Sequence, residues 1–136
     1  GDLEETAIET LIDRYAGTAM LDVDIYEVGH HGSHNGTTKP LLDAMTPEIA
    51  VISMGHEDPH LPWTAWAYGH PRRDVVTLLA AAVSRTRSPA VSVRVGDKVK
   101  RFSGFSLTRS IYATGWDGDV TVTADTQGIR SVKTGE

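Results

Sequence analysis

Residues 21–36 read Leu21-Asp22-Val23-Asp24-Ile25-Tyr26-Glu27-Val28-Gly29-His30-His31-Gly32-Ser33-His34-Asn35-Gly36. The first half alternates, with Leu21, Val23 and Ile25 on one face and Asp22, Asp24, Tyr26 and Val28 on the other, which predicts a strand over 21–28. The second half is a loop in which glycines flank a histidine pair. Glycine lets the backbone turn sharply and approach a ligand closely. Imidazole supplies a neutral nitrogen donor near pH 7. Polar loops at the ends of apolar strands are where α/β folds build their sites. The stretch therefore reads as a candidate metal site. Taken alone, the pair is equally well explained as exposed histidines without a ligand, or as a cap on the next helix.

Working outward, Leu3, Ala7, Ile8, Leu11, Ile12 and Tyr15 recur at helical spacing and predict a helix over 3–15. Asp2 is its expected N-cap, Glu5 completes a capping box, and Gly17 marks the stop. Thr37 or Thr38 opens a short helix to about Met45, with Pro40 tolerated in its first turn. Thr46-Pro47 ends it, and Ile49–Ser53 reads as a buried strand. A long loop from Met54 to Pro71 holds His56, His60, Trp63, Trp66 and His70. Residues 72–84 return to helical spacing. The segments 90–95, 98–106, 109–114, 118–124 and 128–132 read as antiparallel strands, with turns at Val95-Gly96-Asp97, Trp116-Asp117-Gly118 and Asp125–Gly128. The order predicts an α/β layered fold.

Cysteine is absent, so any metal must be held by His, Asp or Glu, which suits zinc or manganese. The net charge of −5 and the lack of a long basic run give no charge signature of nucleic-acid binding, although basic residues gather between Arg72 and Arg109. No apolar run approaches the roughly 20 residues that span a bilayer. No signal peptide is legible, so the expectation is a cytoplasmic location or a soluble domain of a larger protein. All six histidines fall between positions 30 and 70, a clustering that favours a functional role over scattered surface use.

Several motifs occur together in order: Gly1-Asp2-Leu3-Glu4-Glu5, Val28-Gly29-His30-His31-Gly32-Ser33, Pro47-Glu48-Ile49-Ala50-Val51-Ile52-Ser53 and Tyr68-Gly69-His70-Pro71. In this order they resemble the C-terminal half of metallo-β-lactamase-fold hydrolases, most closely the ComEC-like branch named for bacterial DNA-uptake proteins. The resemblance covers residues 1 to about 85. It implies half of an αβ/βα sandwich, with an αβ part over 1–88 that bears the motifs and a β-rich tail over 89–136.

The resemblance implies a site with two divalent metal ions, zinc or manganese. Asp2 would bridge them and orient a metal-bound hydroxide. His30 is favoured as a ligand, with His31 as a catalytic residue contacting substrate; spacing alone does not choose between the two as ligand. His70 would lie on the substrate side, with helix capping or packing as the alternative; Ser33 and His34 are further candidates for substrate binding, with a turn or capping role as the alternative for Ser33. The implied activity is hydrolysis of a phosphodiester, with nucleic acid as a candidate substrate. The family's strongest motif, His-x-His-x-Asp-His, is absent. This chain alone is therefore expected to be inactive, with a metal-free state among the expectations, and to need an N-terminal half of the fold, from the same parent or a companion chain, or a homo-oligomer, to cover its sheet. The chain starts at Gly1 without Met, which reads as a fragment or a trimmed product. The alternative is a non-catalytic half-domain with a structural or regulatory role in an assembly.

Overall fold

Two short parallel strands carry the two loops of interest. In the computed structural model, which describes residues 3–57 and 61–135, β1 (Ile25–Glu27) pairs with β2 (Ile49–Ile52) in the register Tyr26 to Ala50. On its other side β2 pairs with a third parallel strand, Ile111–Ala113, so β2 is the centre of the sheet. Ile49, Ala50 and Ile52 are fully buried. An unbroken apolar run is what a parallel strand covered on both faces requires.

The chain reaches this sheet through α1 (Glu5–Tyr15), which buries Ile8 and packs Leu11 and Ile12 against the core, one stripe of an amphipathic helix. Its N-cap is Glu4, without a side-chain cap, so the expected capping box does not form; Asp2 lies outside the described residues. β1 is shorter than the alternation of 21–28 predicts. Asp22 N–H donates to the Ala19 carbonyl in a turn, and Val23 N–H donates to the Met45 carbonyl, so that stretch is spent on loop contacts. The buried face is that of Tyr26 and Val28, while Ile25 stays exposed.

The crossover from β1 to β2 runs through α2 (Lys39–Met45) as expected. The Thr38 hydroxyl caps it by accepting from Leu41 N–H, Pro40 sits in its first turn, and Leu41 and Leu42 face the core. After β2 comes the segment 53–72 and then α3 (Arg73–Ala82), which buries Val75, Val76 and Leu79.

Next is a long antiparallel hairpin, β3 (Thr86–Lys98) and β4 (Arg101–Arg109), which contributes Val93, Val95 and Leu107 to the core. Its turn lies at Val99-Lys100, not at Val95-Gly96-Asp97. Gly96 is needed for another reason. A Cβ there would lie 1.9 Å from the Gly69 carbonyl oxygen, so glycine permits two backbones to touch.

The third strand of the parallel sheet is β5 (Ile111–Ala113), followed by the helical turn α4 (Thr114–Asp117) and a terminal antiparallel hairpin, β6 (Asp119–Asp125) and β7 (Gly128–Gly135). The sequence predicted only antiparallel strands beyond residue 90; β5 departs from that because it returns to the buried side of β2. The result is a mixed α/β architecture. Among the described residues no helix is long and apolar enough to cross a membrane.

A buried ion pair fixes β5 and α4. Arg87 donates to Asp117 at 2.7 Å, with the two side chains only 9% and 8% exposed. Arg87 also donates to the Ile111 carbonyl at 2.8 Å and lies 4.5 Å above the Tyr112 ring, while Asp117 accepts from Ala113 N–H at 3.0 Å. Removing one partner strands the other charge inside the protein. Asp117→Ala is expected to lower stability by about 3–5 kcal/mol in chemical denaturation; a loss within the ordinary scatter of surface substitutions would show that water solvates Arg87.

Candidate functional site

The loop after β1 is a tight turn, Gly29–Gly32, in which both histidines adopt left-handed backbone angles: φ 49° at His30 and 53° at His31. Non-glycine residues rarely enter this region, and two in succession persist only where the surroundings over-determine them. The surroundings here are specific. Tyr26 points from β1 into the loop. Its hydroxyl accepts from Gly29 N–H at 3.3 Å, donates to the Gly36 carbonyl at 3.3 Å, and lies 3.0 Å from the Thr37 hydroxyl. With the tyrosine proton spent on Gly36, Thr37 is the donor in the last contact. One phenol thus ties both ends of the histidine loop, and Tyr26 and Thr37 are both buried.

A second loop is locked to the first. Arg72 N–H donates to the Gly32 carbonyl at 2.9 Å, and Gly96 N–H donates to the Pro71 carbonyl at 2.8 Å. Pro71-Arg72 is therefore held between the histidine loop and β3. Gly32 has φ 78°, and a Cβ there would meet the Pro71 Cβ at 2.6 Å. The Gly-His-His-Gly and Gly-His-Pro segments, far apart in sequence, are in backbone contact.

This juxtaposition brings His30, His31, Ser33, His34 and His70 to one cleft of about 530 Å³. The His30 and His70 rings are 5.9 Å apart and those of His30 and His31 are 6.5 Å apart. His31 Nδ1 lies 2.6 Å from the Ser53 carbonyl at the end of β2. A carbonyl only accepts, so Nδ1 carries a proton, and Nε2 is the ring nitrogen left to act as a donor of electron pairs. Nδ1 of His30 and Nδ1 of His70 are buried without a hydrogen-bond partner among the described residues. Burial first, and then the charges of His30, His31, Arg72 and His34, lower the His70 pKa to about 4, so this imidazole is neutral at pH 7. Ser33 is buried and its hydroxyl donates to Asn35 Oδ1 at 2.7 Å; Asn35 in turn donates to Glu4 at 3.3 Å. Its proton is used inside the loop. His34 is exposed.

These donors suit a divalent cation in kind: imidazoles, one with its far nitrogen anchored on a carbonyl, which is the support that metal-bound histidines characteristically have. They do not complete a coordination shell. Among the described residues no group of three or more His, Asp or Glu side chains is arranged to hold a metal ion. Asp2, the expected bridging ligand, lies outside the described residues, as does His60. His56 is exposed and does not line the cleft. Sequence reasoning noted Arg72 only as one of the basic residues between 72 and 109, and missed Tyr68 and Val99 as lining residues. Their only signal was proximity to Gly69-His70-Pro71 for the first two, and for Val99 there was none.

Comparison with known proteins supports the coarse part of the resemblance. Over 75 residues, 55% of its length, the chain is 35% identical to Competence protein ComA of Neisseria gonorrhoeae and spans 9% of that protein. It is 34% identical over 73 residues to Recombination protein 2 of Haemophilus influenzae, covering 54% of this chain and 8% of the relative. It is 28% identical over 107 residues to ComE operon protein 3 of Bacillus subtilis (strain 168), covering 76% of this chain and 12% of the relative. The chain is thus similar to bacterial proteins of which one is named a competence protein, and it spans a small part of each. No protein-family model and no solved structure matches it.

Two substitutions test how the loops are held. Tyr26→Phe leaves the Gly29 N–H, Gly36 carbonyl and Thr37 hydroxyl without their common partner and is expected to cost about 1–3 kcal/mol by urea denaturation. Gly32→Ala adds left-handed strain and a contact with Pro71, for an expected loss of about 1–3 kcal/mol. It should also shift the imidazole NMR signals of both His30 and His70. Unmoved His70 signals would show that the loops are not coupled.

Proposed function

We propose that this chain contributes one wall of a metal-dependent hydrolytic site acting on phosphodiesters, in a protein related to the bacterial competence proteins. The observation that carries the reading is the convergence of His30, His31 and His70 on one cleft, with Nδ1 of His30 and of His70 left unpaired among the described residues. An orphaned buried polar atom is costly unless something fills the role of its partner.

Bound divalent ions would supply Lewis acidity toward a phosphoryl oxygen and a lowered pKa for water. His31 would be a ligand through Nε2, with Ser53 fixing the ring. His30 stands beside it, and Asp2 is a further candidate from the motif. The chain's own residues do the remaining work. His70, neutral at pH 7, can accept a proton or a hydrogen bond at the cleft. Arg72, directly after Pro71, places a permanent cation on the same wall and would attract a phosphate oxygen. His34 stands exposed at the rim, where it would meet the substrate. The fold hosts no activity by itself, so the assignment rests on these groups.

The competing reading, a non-catalytic half-domain completed by a partner, is favoured by one observation: the described residues do not close a metal shell. A single experiment separates the two. In the full-length protein, manganese- or zinc-dependent cleavage of bis-p-nitrophenyl phosphate should vanish on chelation and return on adding metal. His31→Ala and His30→Ala should each lower metal affinity, by about 10-fold or more, and suppress cleavage. Wild-type metal content and turnover in both variants would leave only the half-domain reading.

A further inference from the structure

Arg72 and Arg73 are adjacent in the chain and serve opposite sides of it. Arg72 lines the histidine cleft. Arg73 opens α3 and turns onto the hairpin β3–β4. Its guanidinium meets acceptors on both strands of that hairpin. Nε donates to Asp97 Oδ1 at 2.6 Å, and one terminal nitrogen donates to the Ser103 hydroxyl and, at 3.0 Å, to the Gly104 carbonyl. Ser103 passes its own proton toward Asp97 Oδ2, which closes the ring of Arg73, Asp97 and Ser103. The Phe105 ring centre lies 5.7 Å from the guanidinium carbon. The hydrogen bond from Ser103, and then that from Arg73, holds the Asp97 carboxyl below its ordinary pKa, so the clamp is charged at neutral pH. Side chains this exposed, 38% for Arg73 and 30% for Asp97, add little to stability by their attraction. What a planar fork on several acceptors fixes is orientation.

The clamp stands beside the backbone bonds that assemble the cleft. Gly96, next to Asp97, donates its N–H to the Pro71 carbonyl, and Arg72, next to Arg73, donates its N–H to the Gly32 carbonyl. Gly69 lies against the hairpin tip, where a Cβ would stand 2.7 Å from the Lys98 carbonyl oxygen. The backbone of 69–73 therefore runs along residues 96–99, with His70 and Arg72 borne on it. We propose that Asp97 is a positioning residue for the hydrolytic site: together with Ser103 it acts through Arg73 to hold His70 and Arg72 against the His30-His31 loop. The inference rests on the hydrolytic reading above. Neither Asp97 nor Ser103 is among the described residues that line the cleft, so neither touches substrate. His30 and His31 sit on a different loop, tied at its ends by Tyr26. The clamp thus acts on the groups that face substrate and leaves the candidate metal ligands in place.

The test uses the full-length, metal-loaded protein and hydrolysis of bis-p-nitrophenyl phosphate. Asp97→Asn should lower kcat/KM by about tenfold or more, because small misplacements around a reacting centre carry losses of that size. Metal content and melting transition should stay at their wild-type values. Asp97→Glu keeps the carboxylate and should recover part of the loss, and Ser103→Ala should show a smaller loss in the same direction. Asp43→Asn breaks another 2.6 Å ion pair, Lys39 with Asp43 on α2, and should leave kcat/KM unchanged. In parallel, hydrogen exchange at the Arg72 and Gly96 amides should quicken in Asp97→Asn.

Wild-type kcat/KM in Asp97→Asn would overturn the proposal. So would a loss that follows metal content or melting point, or an equal loss in Asp43→Asn. Hydrogen exchange keeps this inference separate from the hydrolytic reading. If the wild type cleaves nothing, that reading fails by itself and the amides judge the clamp: unchanged exchange at Arg72 and Gly96 sinks it, and faster exchange at those two with the Gly29 amide unmoved supports it.

Discussion

The hydrogen bonds on either side of Pro71-Arg72 are the constraint on which the site depends. Arg72 N–H reaches the Gly32 carbonyl and the Pro71 carbonyl receives Gly96 N–H. Through these two bonds the loop after β1, the loop after β2 and the hairpin β3–β4 become one surface. The close approach is possible because Gly32, Gly69 and Gly96 have no side chains at the crossing. Without that contact the His30–His31 pair and His70 would sit on separate loops with no shared cleft.

The same packing sets the chemistry. A neutral imidazole is useful as a donor of electron pairs, and burial, helped by neighbouring charges, lowers the His70 pKa to about 4 and so keeps it unprotonated well below pH 7. The Ser53 carbonyl, at the end of the central strand, selects the tautomer of His31. The left-handed turn that displays both histidines is held by a buried tyrosine hydroxyl with its own donors and acceptors satisfied. The ring of His31 is therefore positioned by a backbone carbonyl at the end of β2, and the turn that carries both histidines by the Tyr26 hydroxyl, which gives the cleft more rigidity than two free loops would have.

Much of the fold was legible because local rules and burial agreed. The run Ile49–Ile52 announced a strand buried on both faces, and Thr38 with Pro40 announced the start of α2. Other elements were misread where tertiary contacts overrode the local pattern. The alternation of 21–28 suggested a longer strand, but Val23 is taken by the end of α2. Gly96 looked like a turn because glycine in a polar context usually is; its real use is contact with Gly69. β5 looked like one more antiparallel strand because direction is not encoded in a three-residue apolar segment.

What the sequence by itself determined was the set of chemical groups: six histidines in one third of the chain, no thiols, and glycines beside the histidine pair. It also determined their order along strands and loops, since side-chain periodicity is a local property. Only the tertiary structure decided which histidines meet, which nitrogen of His31 is free, that Ser33 spends its proton within the loop, and that Trp63 faces solvent while Trp66 fills the core. Most of those facts follow from contacts between residues 10 to 60 apart, such as Tyr26 with Gly36, His31 with Ser53 and Met54 with Thr114. No local pattern records such distances, because they are set by how the layers pack.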